Sequence, residues 1–192
     1  MKGFKSSVAS SILIFIILLS SASVFAQKEG KIQKFLNNLK PGEWAEVEGT
    51  FQRDFTILLK EVEVIYGEVE EDDWEITGPI SNVLPEEKKI SMLFLPIKFN
   101  KDTEYGDDSH KIKSFSDLRP GMYVEIEGSY YKDSTFVASE IAVEKVKEED
   151  LKVVEWKGKV ESVNPKNNSF TILGHTVVLA EATKIKSFVN NQ

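Results

Sequence analysis

Apolar and acidic side chains alternate in two short stretches of the chain. Residues 123–127 (YVEIE) alternate valine and isoleucine with glutamates, and residues 44–48 (WAEVE) repeat this register. A period of two is typical of a half-buried strand, because successive side chains point to opposite faces of a sheet. We therefore expect Ala45, Val47, Val124 and Ile126 to be buried and the glutamates to face solvent.

These two strands belong to a larger internal repeat. Residues 39–49 (LKPGEWAEVEG) reappear as residues 118–128 (LRPGMYVEIEG), and we call this block A. A second block, B, spans residues 78–103 and returns as residues 158–183. The chain thus reads A, B, A, B, and such repeats constrain architecture more strongly than any local pattern.

Block A predicts two strands and block B predicts three, with Pro-Gly turns before each block A strand. In the first copies the predicted strands are residues 44–51, 55–64, 74–83, 90–95 and 97–99. In the second copies they are residues 123–127, 135–143, 153–163, 170–173 and 176–179. No long helical period is present, and residues 32–39 predict at most one or two helical turns.

The order of the blocks predicts how the chain closes. Neither two nor three strands make a stable closed sheet, whereas B followed by A supplies the five strands of a small OB-type barrel. Residues 67–150 form one such complete repeat, so the half-repeat at 27–66 should pair with the half-repeat at 151–192. We therefore predict an all-β fold of two five-stranded OB-like barrels, one continuous and one formed from both ends, with neighbouring chain termini.

The first 26 residues have the pattern of a secretory signal peptide. Lys2 and Lys5 precede an apolar run at residues 12–19, and Ala26 ends a stretch of small residues. The apolar run is too short to span a bilayer, so we expect removal of residues 1–26 and a secreted or periplasmic protein, with no membrane insertion afterwards. Loss of the two lysines changes the formal net charge from −7 to −9.

Composition excludes several classes of function. An acidic chain is poorly suited to nucleic acid, whose phosphates are bound through lysine and arginine. The absence of cysteine excludes disulfide scaffolds and thiolate-bound zinc, and the two histidines make a histidine-based metal or catalytic site hard to assemble. We predict no cofactor and no catalytic residues.

Two acidic segments need separate interpretations. The loop at the end of the first B block contains Asp102, Glu104, Asp107 and Asp108, oxygen ligands that would suit a cation such as Ca²⁺. Their spacing does not fit an EF-hand, and the more conservative interpretation, which we favour, is a solvated loop. The acidic run at residues 68–73 is interpreted as a linker between blocks.

Aromatic side chains supply the candidate ligand-binding residues. Trp44 and Tyr123 occupy the same repeat position, out of register with the buried residues, and further aromatics follow them along the chain. The candidates are Trp44, Phe51, Tyr123, Tyr130 and Tyr131. Aromatic faces on OB-type barrels bind oligosaccharides or oligonucleotides by stacking. The favoured alternative is that Trp44 and Tyr123 pack against the other repeat or a covering loop. Trp74 and Trp156 are predicted to be core or inter-block residues.

The repeated motifs resemble a known family. GKVESVNPKNNSFTILGHTVVLAEATKIKSF, and FSDLRPGMYVEIEG followed by FVASEIAVE, are similar to the bacterial family called domain of unknown function 5666. Pro79, Leu84 and the segment 59–62 depart from that pattern. The resemblance implies a small β-barrel repeat and carries over neither an activity nor catalytic residues.

These observations favour a non-catalytic binding or interaction module that acts on a protein or glycan of the cell envelope. An alternative is a structural assembly protein whose half-repeats complete one another between chains, although we expect a monomer. A hydrolase using two carboxylates is the least favoured alternative, since that chemistry needs two acids at a fixed separation in a pocket.

Overall fold

The computed structural model describes residues 30–70, 72–106 and 112–186. The described part of the chain is predominantly β, with one α-helix, α1 (Lys31–Asn38). Its strands are β1 (Trp44–Phe51), β2 (Ile57–Ile65), β3 (Trp74–Pro79), β4 (Asn82–Leu84), β5 (Lys89–Met92), β6 (Leu95–Lys98), β7 (Glu104–Gly106), β8 (Tyr123–Tyr130), β9 (Phe136–Val143), β10 (Val153–Asn164), β11 (Ser169–Ile172), β12 (His175–Val178) and β13 (Lys184–Lys186). The predicted signal peptide lies outside the described residues.

Helix α1 corresponds to the short helical segment predicted before the first block A. It buries Phe35 and Leu36 against the core, and the backbone N–H of Leu39 donates to the carbonyl of Phe35 where the helix ends. The second repeat has only a single 3₁₀ turn here, Phe115–Asp117, closed by reciprocal hydrogen bonds between Ser114 and Asp117. The helix is thus a local addition to the repeat.

Each block A forms an antiparallel hairpin, β1 with β2 and β8 with β9. Ala45, Val47, Val124 and Ile126 are all buried, as their alternation predicts. Both hairpins shift register at the same repeat position, between Glu48 and Gly49 and between Glu127 and Gly128. The repeated sequence therefore specifies a repeated β-bulge.

Each block B supplies a long opening strand followed by a hairpin. In the second copy this strand is the continuous β10, whereas in the first copy it is interrupted between β3 and β4. Pro79 ends β3, and proline has no N–H to donate to a sheet ladder. The hairpins β5–β6 and β11–β12 follow, and each block then adds one short strand, β7 or β13, that the sequence pattern does not predict.

The strands at the two ends of the chain pair with each other. Strand β1 lies antiparallel to β10, with Trp44 opposite Lys159 and Thr50 opposite Val153, and β2 runs parallel to β12 and β13. Pairing continues from β1 through β2, β12, β11 and β10 back to β1, so five strands form a closed ring. The predicted pairing between the first A strand and the second block B is observed.

The remaining strands follow the same order within the second repeat. Pairing runs β3–β8–β9–β6–β5–β4, and β3 and β4 are consecutive along the chain. The parallel contacts of β9 with β6 and β7 correspond to those of β2 with β12 and β13. Both repeats therefore have the same strand connectivity.

The two repeats are joined through one strand pair. Strands β3 and β10 lie antiparallel, with Ile76 opposite Trp156, and these two residues occupy equivalent positions in the repeat. The flanking pairs, Glu155 with Thr77 and Lys157 with Glu75, exchange equivalent positions. The register thus has pseudo-twofold symmetry about the Ile76–Trp156 pair, and all thirteen strands belong to one sheet. Where the sequence predicts two barrels, the structure shows one connected sheet.

One hydrophobic cluster runs through both repeats. Trp74 and Trp156 are buried in or beside it, as predicted. At the junction, Nε2 of His175 lies 2.7 Å from the carbonyl oxygen of Leu93, linking the β11–β12 turn to the β5–β6 turn. Within the described residues, no helix is both long and apolar enough to cross a membrane.

Candidate functional site

A groove of about 610 Å³ opens where the repeats meet. Its lining residues are Trp74, Ser129, Tyr130, Tyr131, Lys132, Ser134, Lys159 and Glu161. Most of them come from the end of β8 and the loop that follows it, while Lys159 and Glu161 come from β10 of the other repeat. The groove is therefore composite and depends on the pairing of β3 with β10.

An aromatic row supports one wall of the groove. The ring of Tyr130 lies 5.2 Å from that of Trp74, measured between centroids, and Trp74 in turn lies 4.9 Å from Trp44. Trp74 and Trp44 are almost fully buried, whereas Tyr131 is 53% exposed. Because the half-buried Tyr130 packs on the buried Trp74, which itself packs on Trp44, it forms a rigid wall beside Tyr131.

Charged and hydroxyl groups surround these rings. The ammonium group of Lys159 lies 5.3 Å from the ring centroid of Trp44, and Lys132 lies at the loop tip. The carboxylate of Glu161 accepts a hydrogen bond of 2.9 Å from the backbone N–H of Gly174. A hydroxyl-rich ligand would thus find apolar area and hydrogen-bonding groups side by side.

The structure corrects the expected exposure of two aromatic candidates. Trp44 is 8% exposed because it packs on Trp74, and Tyr123 is 6% exposed. The hydroxyl of Tyr123 donates to the carbonyl of Val153 at 3.0 Å. The favoured alternative, packing against the other repeat or a covering segment, describes both residues. Tyr130 and Tyr131 do line the groove.

Phe51, the remaining aromatic candidate, lies in a separate cluster. Its ring centroid is 6.4 Å from that of Phe55 and 6.3 Å from that of Phe94, and the latter two are 5.1 Å apart. Phe55 and Phe94 are 60% and 69% exposed. We call these three residues the phenylalanine patch.

A second prominent surface is an acidic face on β2, β1, β10, β3, β8 and β9. Cross-strand partners form two adjacent rows on this face, and the pseudo-twofold relation exchanges the rows. One row contains Glu61, Glu48, Glu155, Thr77, Glu125 and Ala142, and the other contains Glu63, Glu46, Lys157, Glu75, Glu127 and Glu140. Directly opposed like charges destabilise a sheet.

Burial and mutual repulsion raise the pKa of three carboxyl groups on the acidic face. Partial burial is the main cause that raises the pKa of Glu75, Glu125 and Glu155. Repulsion adds to it, from Glu125 on Glu75 and from Glu48 on Glu155. These three carboxyl groups therefore hold protons more tightly than isolated carboxyl groups do.

A depression of about 350 Å³ lies on the acidic face, beneath the segment that joins β9 to β10. Glu48, Glu125 and Glu155 line it together with Tyr123. Burial, followed by repulsion from Glu155, raises the pKa of the Tyr123 hydroxyl to about 12. A depression with several carboxylates is what the hydrolase alternative requires, so that alternative stays a prediction.

Half of the predicted cation site falls outside the described residues. Asp107 and Asp108 are among those not described, while Glu104 is exposed in β7 and Asp102 follows β6 in a turn. The backbone N–H of Asp102 donates to the side chain of Asn100 at 2.7 Å. In the ranges that are described, no group of three or more acidic or histidine side chains is placed to hold a metal ion.

The sequence pattern does not identify several groove residues. Trp74 lies in β3 just before the first block B, and Lys159 and Glu161 belong to the second block B. Lys159 and Glu161 reach the groove only because β3 and β10 pair, and a two-residue period does not reveal which repeat edges meet. One feature of the sequence does distinguish Trp74: the equivalent position of the other repeat has an aliphatic residue, Val154.

Comparison with known proteins gives a family without an assigned activity. The model of the family described as Domain of unknown function (DUF5666) matches residues 77–142 and 157–192, which together are more than half of the chain. Neither the curated proteins nor the solved structures contain a match. The matched segments cover the second hairpin A and most of both B blocks. The chain belongs to the DUF5666 family.

Proposed function

We propose that this protein is a non-catalytic binding module and that its composite groove binds a glycan of the cell envelope. The observation that carries the proposal is the exposed Tyr131 beside Tyr130, which is supported from behind by Trp74. Sugar rings present apolar C–H faces that stack on aromatic rings, while their hydroxyls bond to charged and polar side chains. Lys132 and Lys159 supply such donors.

The net charge of the chain favours a neutral glycan. A formal charge of −7, much of it on the acidic face, repels polyanions over a range set by ionic strength. Nucleic acid and anionic lipid surfaces are poor partners for the same reason. We therefore choose β-1,4-linked chito-oligosaccharides, which are neutral and have apolar ring faces, as the first probe.

The proposal extends to the architecture. We propose that each repeat is a five-stranded OB-like barrel, one continuous and one completed by the two ends of the chain. The closed ring of β1, β2, β12, β11 and β10 and the equivalent connectivity of the second repeat support this architecture. Barrels of this class bind oligosaccharides on a strand face and its loops.

The test is a binding measurement with a matched aromatic control. Titration of the purified protein with chitohexaose should show saturable binding, and Tyr131→Ala should weaken it by about tenfold, as expected for loss of one stacking contact of roughly 1.4 kcal/mol. Tyr66 is 61% exposed and lies outside the groove, so Tyr66→Ala should bind normally. Equal affinity of Tyr131→Ala and wild type would contradict the proposal. Capture of an envelope protein in place of any glycan would identify the other partner class.

The cellular location is part of the same proposal. We propose that the protein acts outside the cytoplasm, as its signal-peptide pattern predicts. Amino-terminal sequencing of protein from a fractionated native host should find Gln27 as the first residue. Recovery of a chain beginning at Met1 from the cytoplasmic fraction would contradict this location.

Assembly between chains is the second candidate function. In the structure, β1 pairs with both β2 and β10 of its own chain, so the half-repeats find their partners without another molecule. This pairing supports a monomer. Light scattering should give a mass of one chain that does not change with concentration, whereas a mass that grows with concentration would favour assembly.

The hydrolase alternative has its own test on the acidic face. Incubation with aryl glycosides should release no chromophore if the module only binds. Release that is lost in Glu125→Gln or Glu155→Gln would instead assign catalysis to the carboxylates of the depression.

A further inference from the structure

The pseudo-twofold relation gives the groove a counterpart in the other repeat. Equivalent positions lie at the end of the first A strand, in the loop after it, and at the tip of the B hairpin. At these three positions, in this order, the groove and its border have Tyr130, Ser134 and Gly174. The symmetry-related positions have Phe51, Phe55 and Phe94. The phenylalanine patch therefore occupies the symmetry-related position of the groove.

Backbone conformation is conserved between the two positions although the side chains differ. Phe55 and Ser134 have φ of 66° and 60°, and Phe94 and Gly174 have φ of 72° and 73°. This left-handed region suits glycine and small polar residues, and a bulky side chain there costs free energy. Two phenylalanines thus stand where the repeat itself shows that a serine and a glycine are compatible with the fold.

Core packing does not explain these phenylalanines. Phe55 and Phe94 are mostly exposed, and their rings touch each other across the two repeats. Strained residues persist where they serve a site rather than the core, so an exposed pair of this kind indicates a contact surface.

A chain of contacts connects the patch to the groove. Gly174 lies next to the groove, close to the Tyr130 hydroxyl and bonded to Glu161. The adjacent His175 contacts the carbonyl of Leu93, and Leu93 immediately precedes Phe94. The two turns that meet at the junction therefore place the groove and the patch on either side of one contact between the repeats.

We propose that the phenylalanine patch is a second saccharide subsite, which binds the same glycan chain that occupies the groove. This inference rests on the proposed function. The patch is linked to the groove through the contact of His175 with the Leu93 carbonyl, occupies the symmetry-equivalent position, and has Arg53 where the groove has Lys132. A ligand that spans both subsites gains affinity from each, whereas a short ligand fills only one.

The experiment compares ligand length with and without the patch. Wild type and the double variant Phe55→Ser/Phe94→Gly are titrated with chitobiose, chitotetraose and chitohexaose. Wild type should bind the longest ligand at least about tenfold more tightly than the shortest. The double variant should bind chitobiose like wild type and lose that gain with length. Tyr66→Ser, which removes an exposed aromatic residue elsewhere, should keep it.

The outcomes separate this inference from the proposed function. Length-dependent binding that the double variant retains overturns the second subsite and leaves groove binding intact. No binding of any length by wild type overturns the proposed function and the subsite with it. Serine and glycine are the counterpart residues at these turns, so circular dichroism should show a folded variant.

Discussion

At the scale of single residues, Gly128 shows how closely the two strands of a hairpin approach at the shared bulge. A Cβ atom added there would lie 2.2 Å from the carbonyl oxygen of Val137, which is backbone that cannot rotate away. We predict that Gly128→Ala lowers the free energy of unfolding by about 2–4 kcal/mol, in the range of other strained or overpacked core positions. Urea denaturation measures this change.

Two further glycines make the test specific. The equivalent Gly49 would place a Cβ atom 2.5 Å from Ile57 and 2.7 Å from the Leu58 carbonyl oxygen, so Gly49→Ala should also destabilise. At Gly30, the N-cap of α1, there is no atom within 4 Å, so Gly30→Ala should cost at most about 1 kcal/mol, from the weaker N-cap alone. Similar losses at all three positions would show that the bulge contacts are not the cause.

At Phe94 we predict the opposite effect, a gain in stability on substitution, because this residue adopts an unfavourable backbone conformation. It occupies the second position of a two-residue hairpin turn in which both Leu93 and Phe94 have positive φ, whereas the equivalent turn has Gly174. Phe94→Gly should raise the free energy of unfolding by about 1 kcal/mol, because glycine adopts this conformation without a Cβ clash. A fall in the thermal midpoint would show that the exposed ring stabilises the fold.

At the scale of elements, one buried threonine fastens the end of each block B. Thr183 donates from Oγ1 to the carbonyl of Leu59 in β2 at 2.9 Å and accepts from the backbone N–H of Ala180. It thereby holds the turn that precedes β13 against β2. Thr183→Val keeps the shape and removes both bonds, so we predict a loss of about 1–3 kcal/mol in the free energy of unfolding.

Two other threonines test this prediction, one at the equivalent position of the other repeat and one that is exposed. Thr103 makes the same contacts with the Ala138 carbonyl and the backbone N–H of Asn100, so Thr103→Val should cost a similar amount. Thr176 is exposed in β12, and Thr176→Val should be nearly neutral. Hydrogen exchange should also become faster for amides of β13 in Thr183→Val, which a global effect without local loosening would not produce.

The alternation of side chains predicts the long strands because one face of each is buried. The register of Ala45 and Val47 follows from that pattern. The break near Pro79 does not, because the pattern predicts one strand over residues 74–83, which the structure divides into β3 and β4 where proline has no N–H to donate. The alternation does not predict β7 and β13, because each has only three residues and too few positions to establish a period. Trp44 and Tyr123 follow the exposed register but are buried, since tertiary contacts cover the start of each strand.

At the scale of the whole molecule, the order of the blocks predicts that the two ends of the chain pair, and β1 does pair with β10. It does not predict that β3 and β10 join the repeats into one sheet, because edge pairing leaves no signature in the period of either strand. The groove depends on this junction. Tyr130 and Tyr131 could therefore be identified from the sequence, whereas Lys159 required the structure.

The acidic face predicts how the stability of the whole molecule depends on pH. Partial burial, with repulsion from Glu125, raises the pKa of Glu75 above its ordinary value of 4.5, and Glu125 and Glu155 shift in the same direction. The folded protein thus binds these protons more tightly than the unfolded chain, so stability falls as the pH rises through the raised pKa values. The thermal midpoint should therefore rise as the pH is lowered from 7 toward the ordinary carboxyl range.

Further acidification should reverse this trend. Hydrogen bonds, led by those from Thr56 and Lys113, lower the pKa of Asp54 and Asp117 below the ordinary value of 3.8. Stability that depends on these ionised groups is present above that value and is lost as the pH falls through the lowered pKa values. Circular dichroism melts across this range should show a maximum on the acidic side of neutrality, and a midpoint that falls steadily from pH 7 would contradict the prediction.

A single substitution tests whether the acidic face causes the predicted rise in thermal midpoint at lower pH. Glu75 lies between Lys157 and Glu127 in its row, and its raised pKa shows that burial and repulsion, led by Glu125, outweigh the attraction of Lys157. Glu75→Gln should therefore raise the free energy of unfolding at pH 7 by about 0.2–1 kcal/mol. Its gain should shrink at lower pH, where the wild-type carboxyl group is protonated and also neutral. Glu86→Gln removes an exposed charge from the turn before β5 and should leave the pH profile unchanged. If both variants shift the profile equally, net charge rather than the cross-strand rows determines it.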